Sequence, residues 1–170
     1  SSRKATEFVE RIGTAAYAFA GRGTRTNTGA IHWNPASADS IAWEAVDAID
    51  TDTYSHTTAL PGSDEITIES SGDYLVVYND SLAGAGASER ENPRVDLRLD
   101  GSPVSGAQVK SHYMRNDPSA GNFESSGSLV FYLENVDVGQ VLSVSTIAEN
   151  DILDTVVADD AAMLTVIRKR

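Results

Sequence analysis

The chain has 170 residues, 41% of them hydrophobic and 22% charged, with no cysteine and a formal net charge of −12. That length and composition fit about one domain with a real core, and no apolar run reaches the ~18 residues of a membrane-spanning helix. Repulsion by phosphates argues against nucleic acid as a partner, and the missing cysteines exclude disulfides, thiolate nucleophiles and metal–thiolate centres.

Along the chain, residues 1–28 read as an N-terminal arm ahead of a domain covering 29–170. Hydrophobics are sparse in the arm, Gly21-Arg22-Gly23 is a natural break, and a weak helical signal sits at Thr6 to Ile12, with Phe8 and Ile12 four apart. Strand patterns follow at Ala15 to Ala20, Ile41 to Val46, Glu65 to Glu69 and Tyr74 to Tyr78. Most are bounded by Gly, Pro, Asn, Asp or Ser. The clearest alternation is Arg94 to Asp100, where Val95, Leu97 and Leu99 interleave with Asp96, Arg98 and Asp100. It runs into Asp100-Gly101, a hairpin signal. Pro103 to Tyr113, Ser128 to Leu133, Val141 to Ile147 and Met163 to Arg168 complete the series. Gly84 to Ser88 and Asn116 to Gly127 read as loops, and Asp159 to Met163 is too short to stand as a helix. Strands at regular spacing without intervening helices predict an all-β antiparallel sandwich or barrel.

The stretch Ile66-Thr67-Ile68-Glu69-Ser70-Ser71-Gly72-Asp73-Tyr74-Leu75-Val76-Val77-Tyr78 resembles the strand, Gly, x, Tyr centre of the complement globular-head and tumour-necrosis-factor-like jelly rolls. The order continues with Arg94 to Asp100, then Gly101-Ser102-Pro103-Val104, then Ser128 to Leu133. Val138-Gly139-Gln140-Val141-Leu142 follows, with Gln140 where an acidic residue is commoner. The resemblance spans residues 60–168. It implies a jelly roll of ten strands that assembles as a homotrimer through an apolar axial face.

Two strands are apolar on both sides, Tyr74 to Tyr78 and Leu129 to Leu133, so both of their faces need covering. Either they lie wholly within the monomer core or one face meets another subunit. The residues assigned to the trimer interface are Tyr74, Val76, Tyr78, Leu129, Phe131 and Leu133, with the inward alternation left open.

Catalytic patterns are thin. His32, His56 and His112 are the only histidines and are far apart, and no metalloprotease, nucleophile-elbow or phosphate-loop motif occurs. Carboxylate pairs such as Glu89 with Glu91, or Asp159 with Asp160, are expected by chance among 25 acidic residues. Asp47, Asp50 and Asp52 lack the glycine and glutamate of a calcium loop. Asn79-Asp80-Ser81 fits a glycosylation sequon. The reading is a non-enzymatic protein without cofactor or metal.

Charge is unevenly placed. Residues 1–25 hold five basic and two acidic residues, the last three residues are all basic, and the rest holds five basic against 23 acidic. In jelly rolls of the resembled type the first and last strands are neighbours. The two basic ends are therefore expected on one side, with Arg3, Lys4, Phe8, Val9, Arg11, Ile12, Arg168, Lys169 and Arg170 docking on a larger assembly. Cysteine-free acidic jelly rolls fit a structural protein of a virus particle. The expected role is a trimeric decoration, cement or head-fibre protein of a bacteriophage, bound to the major capsid protein or another virion protein on the capsid exterior. The alternative is an extracellular receptor- or glycan-binding head that stacks a sugar on exposed aromatics such as Trp33, Tyr54 or Phe123. No nucleic acid and no membrane are expected as partners.

Overall fold

The computed structural model describes residues 18–23, 33–59, 61–84, 90–115, 123–149, 156–158 and 162–169. Its strands, in chain order, are β1 (Ala18–Gly23), β2 (Asp39–Ser40), β3 (Ala45–Ile49), β4 (Tyr54–Ser55), β5 (Ile66–Ile68), β6 (Gly72–Gly84) and β7 (Arg90–Glu91). They continue with β8 (Pro93–Leu99), β9 (Ser102–Val109), β10 (Met114–Arg115), β11 (Glu124–Val136), β12 (Val141–Ala148), β13 (Val156–Ala158) and β14 (Ala162–Lys169). No helix occurs among the described residues. The all-β antiparallel sandwich expected from the alternation is the observed architecture.

One sheet has the order β11-β6-β14-β1-β3, with β13 also on β6; the other runs β4-β5-β12-β8-β9, with β2 on β12. A short β10–β7 pair stands apart. Inward side chains of both sheets form one core in which Trp33, Trp43, Tyr54, Tyr74 and Tyr78 are the largest fully buried groups. Each such burial contributes about 1.5–3 kcal/mol. Tyr54 and Tyr74 meet edge to face at 6.0 Å, and Trp43 meets Tyr78 likewise at 6.5 Å.

Several expected boundaries move, each for a local reason. Ile41 and Trp43 are both fully buried, yet 41–44 is not a strand. This segment passes from β2 in one sheet to β3 in the other, anchored by Ile41 N–H to the Val144 carbonyl (2.8 Å) and Trp43 N–H to the Ser63 carbonyl (2.6 Å). Its alternation is that of a crossover with one buried side, Ile41 and Trp43 turned in and Glu44 exposed. Glu124 to Gly127, read as loop, is the start of β11, because Ser125 and Gly127 take register positions opposite Leu82 and Asp80. Part of the segment drawn as an arm is β1, paired with β14 on one side and β3 on the other. The closing strand expected at Met163 to Arg168 is β14, longer by one residue at each end. The helical signal at Thr6 to Ile12 lies outside the described residues.

The Asp100-Gly101 hairpin forms as expected, with φ of 49° and 74° at its two central residues and Leu99 opposite Ser102. Both left-handed angles mark a type I′ turn, which explains the glycine. Asp100 then reaches across the sheet, accepting Val141 N–H at 2.8 Å and Gln140 Nε2–H at 2.8 Å. The backbone bond from Val141 is the leading cause that holds its carboxyl below the ordinary aspartate range, with Gln140 adding to it. A carboxyl depressed by folding contributes stability that is present above about pH 4 and lost as pH falls through the folded-state value. The urea midpoint of the wild-type chain should therefore drop more steeply on acidification than that of Asp100→Asn. Equal slopes for the two proteins would contradict this role for Asp100.

Candidate functional site

Parity along the strands decides which side chains leave the sandwich. In β6, Tyr74, Val76, Tyr78, Asp80 and Leu82 are buried, while Leu75, Val77 and Asn79 alternate to the outside. In β11, Gly127, Leu129, Phe131 and Leu133 turn inward, which leaves Val130 67% and Tyr132 37% exposed. In β14, Met163 and Ile167 are the outward apolar residues, at 50% and 40%. Register aligns them in rows. Val130 lies opposite Val77, which lies opposite Thr165; Tyr132 lies opposite Leu75, which lies opposite Ile167. The result is an apolar patch across three adjacent strands on the solvent side of the first sheet. This is unusual in a chain with 25 acidic residues, since contiguous exposed apolar surface of this kind marks an interaction site.

A polar rim fixes one edge of the patch. The Tyr132 hydroxyl donates to Asp73 Oδ2 at 2.8 Å, Asn135 N–H donates to Asp73 Oδ1 at 3.0 Å, and Lys169 Nζ donates to the Tyr132 oxygen at 3.2 Å. Lys169 also stands 5.2 Å from the Tyr132 ring centre. The bond to Tyr132 is the main cause that raises the Lys169 ammonium above the usual lysine range. The Asn135 and Tyr132 bonds hold the Asp73 carboxyl below its own range. Tyr132 is thus clamped in one orientation.

Beneath the patch lies a buried polar network. Asp80 Oδ2 accepts the Tyr78 hydroxyl at 2.6 Å and faces His112 Nε2 at 3.1 Å, while Oδ1 accepts Gly127 N–H at 2.8 Å. The Asp80 and His112 side chains are fully buried. Burial, reinforced by the adjacent Asp80 charge, pushes the Tyr78 phenol well above its ordinary value, so it remains a neutral donor. Gly127 is required for space, because a Cβ there would lie 2.6 Å from His112 Nε2 and 2.7 Å from Val109 Cγ1. The signal for this network was in the sequence, since Asp80 occupies the inward parity of Tyr74, Val76 and Tyr78.

The residues expected at the interface lie instead on the inward side of their strands. Tyr74, Val76 and Tyr78 are fully buried between the sheets, Leu129 and Leu133 are 8% and 7% exposed, and Phe131 is half-buried against the core. The opposite alternation carries the patch. Gly72, two residues before Tyr74, is explained by Arg168: its Nε donates to the Ser71 carbonyl at 3.1 Å and would lie 3.0 Å from a Cβ at Gly72.

Of the docking residues, Arg168 and Lys169 end β14 beside Tyr74 and Asp73. Arg3, Lys4, Phe8, Val9, Arg11, Ile12 and Arg170 lie outside the described residues. Because Ala18 pairs with Ile167, residue 18 and the end of β14 share one end of the sandwich. That end also carries Asp73, Asp100 and Asp137 among its loops and strand ends, so its charge is mixed. Trp33 and Tyr54 are 1% and 0% exposed, which removes both as sugar-stacking rings, whereas Phe123 is 40% exposed. Asp50 accepts Thr53 Oγ1–H at 2.6 Å and Asp52 N–H at 3.2 Å, the work of a turn. His56 packs between backbone carbonyls of Glu65 and Trp43, and His32 lies outside the described residues. No group of three or more His, Asp or Glu side chains is placed to share a metal ion among the described residues. No helix among them is long and apolar enough to cross a membrane.

No protein-family model and no curated protein matches the chain. Among solved structures, the globular domain of zebrafish complement 1qA protein is similar with a TM-score of 0.56 at 15% identity, covering 91% of this chain and 98% of that one. Eiger TNF from S. frugiperda is similar with a TM-score of 0.54 at 13% identity, covering 90% and 92%. With the strand order, the Gly72-Asp73-Tyr74 signature and these two matches in agreement, the chain has the complement-globular-head and tumour-necrosis-factor-like jelly-roll fold.

Proposed function

We propose that the chain is a non-enzymatic homotrimeric attachment head, built by packing the apolar patch of three copies around a common axis. The observation that carries this reading is the outward row of Leu75, Val77, Val130, Tyr132, Met163 and Ile167 on adjacent strands. Burying it would remove an aggregation hazard, and threefold closure would leave no copy of the patch exposed. The clamped Tyr132 supplies a fixed polar edge to such an interface. Asn79, the acceptor of the sequon, projects from the same sheet face beside Met163, where a glycan would collide with a neighbouring subunit.

The finer assignment is a virion surface protein, a capsid decoration, cement or head-fibre protein attached through the end where β1 begins and β14 finishes. Support comes from the cysteine-free acidic composition and from the start of β1 lying at the same end of the sandwich as the close of β14. Sedimentation equilibrium at micromolar concentration should give three times the chain mass of 18.1 kDa. A single-chain mass would overturn the trimer. Purified virus particles should carry the protein at a fixed ratio to the shell protein and release it as salt rises. A protein absent from particles would leave the free receptor-binding head as the reading.

A further inference from the structure

Between positions 26 and 167 the chain has five basic residues, and all of them fall between 90 and 115, a segment with only three acidic residues, Glu91, Asp96 and Asp100. Three of the five are already engaged. Arg94 closes a two-pronged bond on the buried Asp96 carboxylate, Nε to Oδ1 at 2.8 Å and Nη2 to Oδ2 at 2.9 Å. Lys110 lies 3.4 Å from Glu149, and Arg98 donates through Nε and Nη2 to the Gly101 carbonyl at 2.9 and 2.6 Å. The other two, Arg90 and Arg115, are register partners in the antiparallel β7–β10 pair. Their neighbours Glu91 and Met114, also partners, are both fully buried, so positions 90 and 115 share the outward face of the ladder, where Arg115 is exposed. Arg115 meets no carboxylate among the described residues. Directly opposed residues stand about 4.5–5.5 Å apart at Cβ, and like charges there destabilise the pair. Tyr113 N–H, donated to Ser125 Oγ at 3.3 Å opposite Leu82, sets the ladder at the end of the sandwich where β6 finishes, away from Asp73 and Lys169.

We propose that Arg90 and Arg115 form a binding site for an isolated phosphomonoester group. Two cations set opposite one another repel in the free chain, and an anion held between them replaces that repulsion with charge-assisted hydrogen bonds. The Arg94–Asp96 pair shows in this same chain what a carboxylate does, since its two oxygens fill one guanidinium fork. A group that serves two forks from one position needs more oxygens and more charge. A phosphomonoester brings three terminal oxygens and about −1.5 to −2 at neutral pH. The remainder of the chain limits the size of the ligand. With a net charge of −12, and no basic residue between 26 and 167 outside this segment, it repels an extended polyanion such as nucleic acid, whereas a single phosphoryl group stays within the basic segment. Both arginines belong to one chain, so the site does not depend on the trimer.

The test is calorimetric titration of the full chain with phenyl phosphate, and with phenyl sulfate, acetate and a single-stranded oligonucleotide at matched ionic strength. Phenyl phosphate should bind at one site per chain, in the millimolar range or tighter, and about tenfold more tightly than phenyl sulfate or acetate. Arg90→Gln and Arg115→Gln should each weaken it by about tenfold. Arg115→Lys should weaken it too, because an ammonium has no fork, and Arg98→Gln should leave it unchanged. Thermal melting gives a second reading. Without added anion, Arg115→Gln should melt no lower than the wild type, since it removes a like-charge opposition, and phenyl phosphate should raise the midpoint of the wild type but not of this variant. A lower midpoint for Arg115→Gln would mean that a carboxylate of the chain already serves Arg115, and would overturn the site. So would the absence of phenyl phosphate binding, equal binding of acetate or phenyl sulfate, or tighter binding of the oligonucleotide.

Discussion

Replacing Asp80 by alanine is expected to lower the unfolding free energy by about 3–6 kcal/mol, enough to unfold a domain of ordinary marginal stability under mild conditions. The substitution strips the acceptor from the Tyr78 hydroxyl and the Gly127 N–H, and it removes the one hydrogen-bond partner that the buried His112 ring has among the described residues. Each polar group left buried without a partner costs about 1–3 kcal/mol, and these losses are not additive, which sets the range. Tyr78→Phe removes one bond and keeps the others, so it should cost about 1 kcal/mol. Gly127→Ala acts on the same site sterically, by driving a methyl group into His112 and Val109, at about 1–3 kcal/mol. Urea unfolding of the three variants should rank them with Asp80→Ala the most destabilised. A loss under about 1 kcal/mol for that variant would mean the network is not what joins β6, β11 and the segment before β10.

The second large effect concerns assembly rather than folding. Val77 lies in the middle of the patch, opposite Val130 on one side and Thr165 on the other, and points away from the monomer core. Val77→Asp should leave the monomer folded, because the new carboxylate is hydrated in the isolated chain. In a trimer, three such carboxylates would be buried without countercharges, each at a cost of several kcal/mol. The dissociation constant is expected to rise by about a thousandfold or more, and micromolar samples should sediment as single chains with native near-ultraviolet circular dichroism. A variant that still sediments as a trimer would place the subunit contact elsewhere on the molecule.

Strand existence and fold class were legible because the alternation at Arg94 to Asp100, Val141 to Ile147 and Met163 to Arg168 reports directly which face is buried. Strand length was less legible. β6 extends to Gly84 and β11 begins at Glu124 because their pairing partners continue, and serine, aspartate and glycine in those extensions carry weak strand signals of their own. The direction of the two-sided strands could not be read from hydrophobicity, since Tyr74 and Leu75 are equally apolar. What distinguishes them is company: in β6, Tyr74, Val76 and Tyr78 turn toward the core, and Leu75 and Val77 turn outward. Asp80 at inward parity was the one residue that could have fixed the direction, had its burial been inferred from Tyr78 two positions earlier. Trp33 and Tyr54 looked like exposed loop aromatics because their neighbours are polar. Long-range packing, including the Tyr54 hydroxyl bond to the Val166 carbonyl at 3.0 Å, takes them inside.

The pairing of β1 with β14 has a consequence for synthesis on the ribosome. Ala18 meets Ile167, so β1 is made long before its partner β14. At about 5–20 residues per second, the stretch from Gly84 to Ala162 occupies the ribosome for roughly 4–16 s. Within that interval β6 gains only β11 as a long neighbour, and its other edge stays open until β14 emerges. Contacts of this sequence separation fold slowly and expose unpaired edges while they wait. The nascent chain therefore depends on the eight residues of β14 both to close the sheet and to retire the surface through which unfinished chains would join one another.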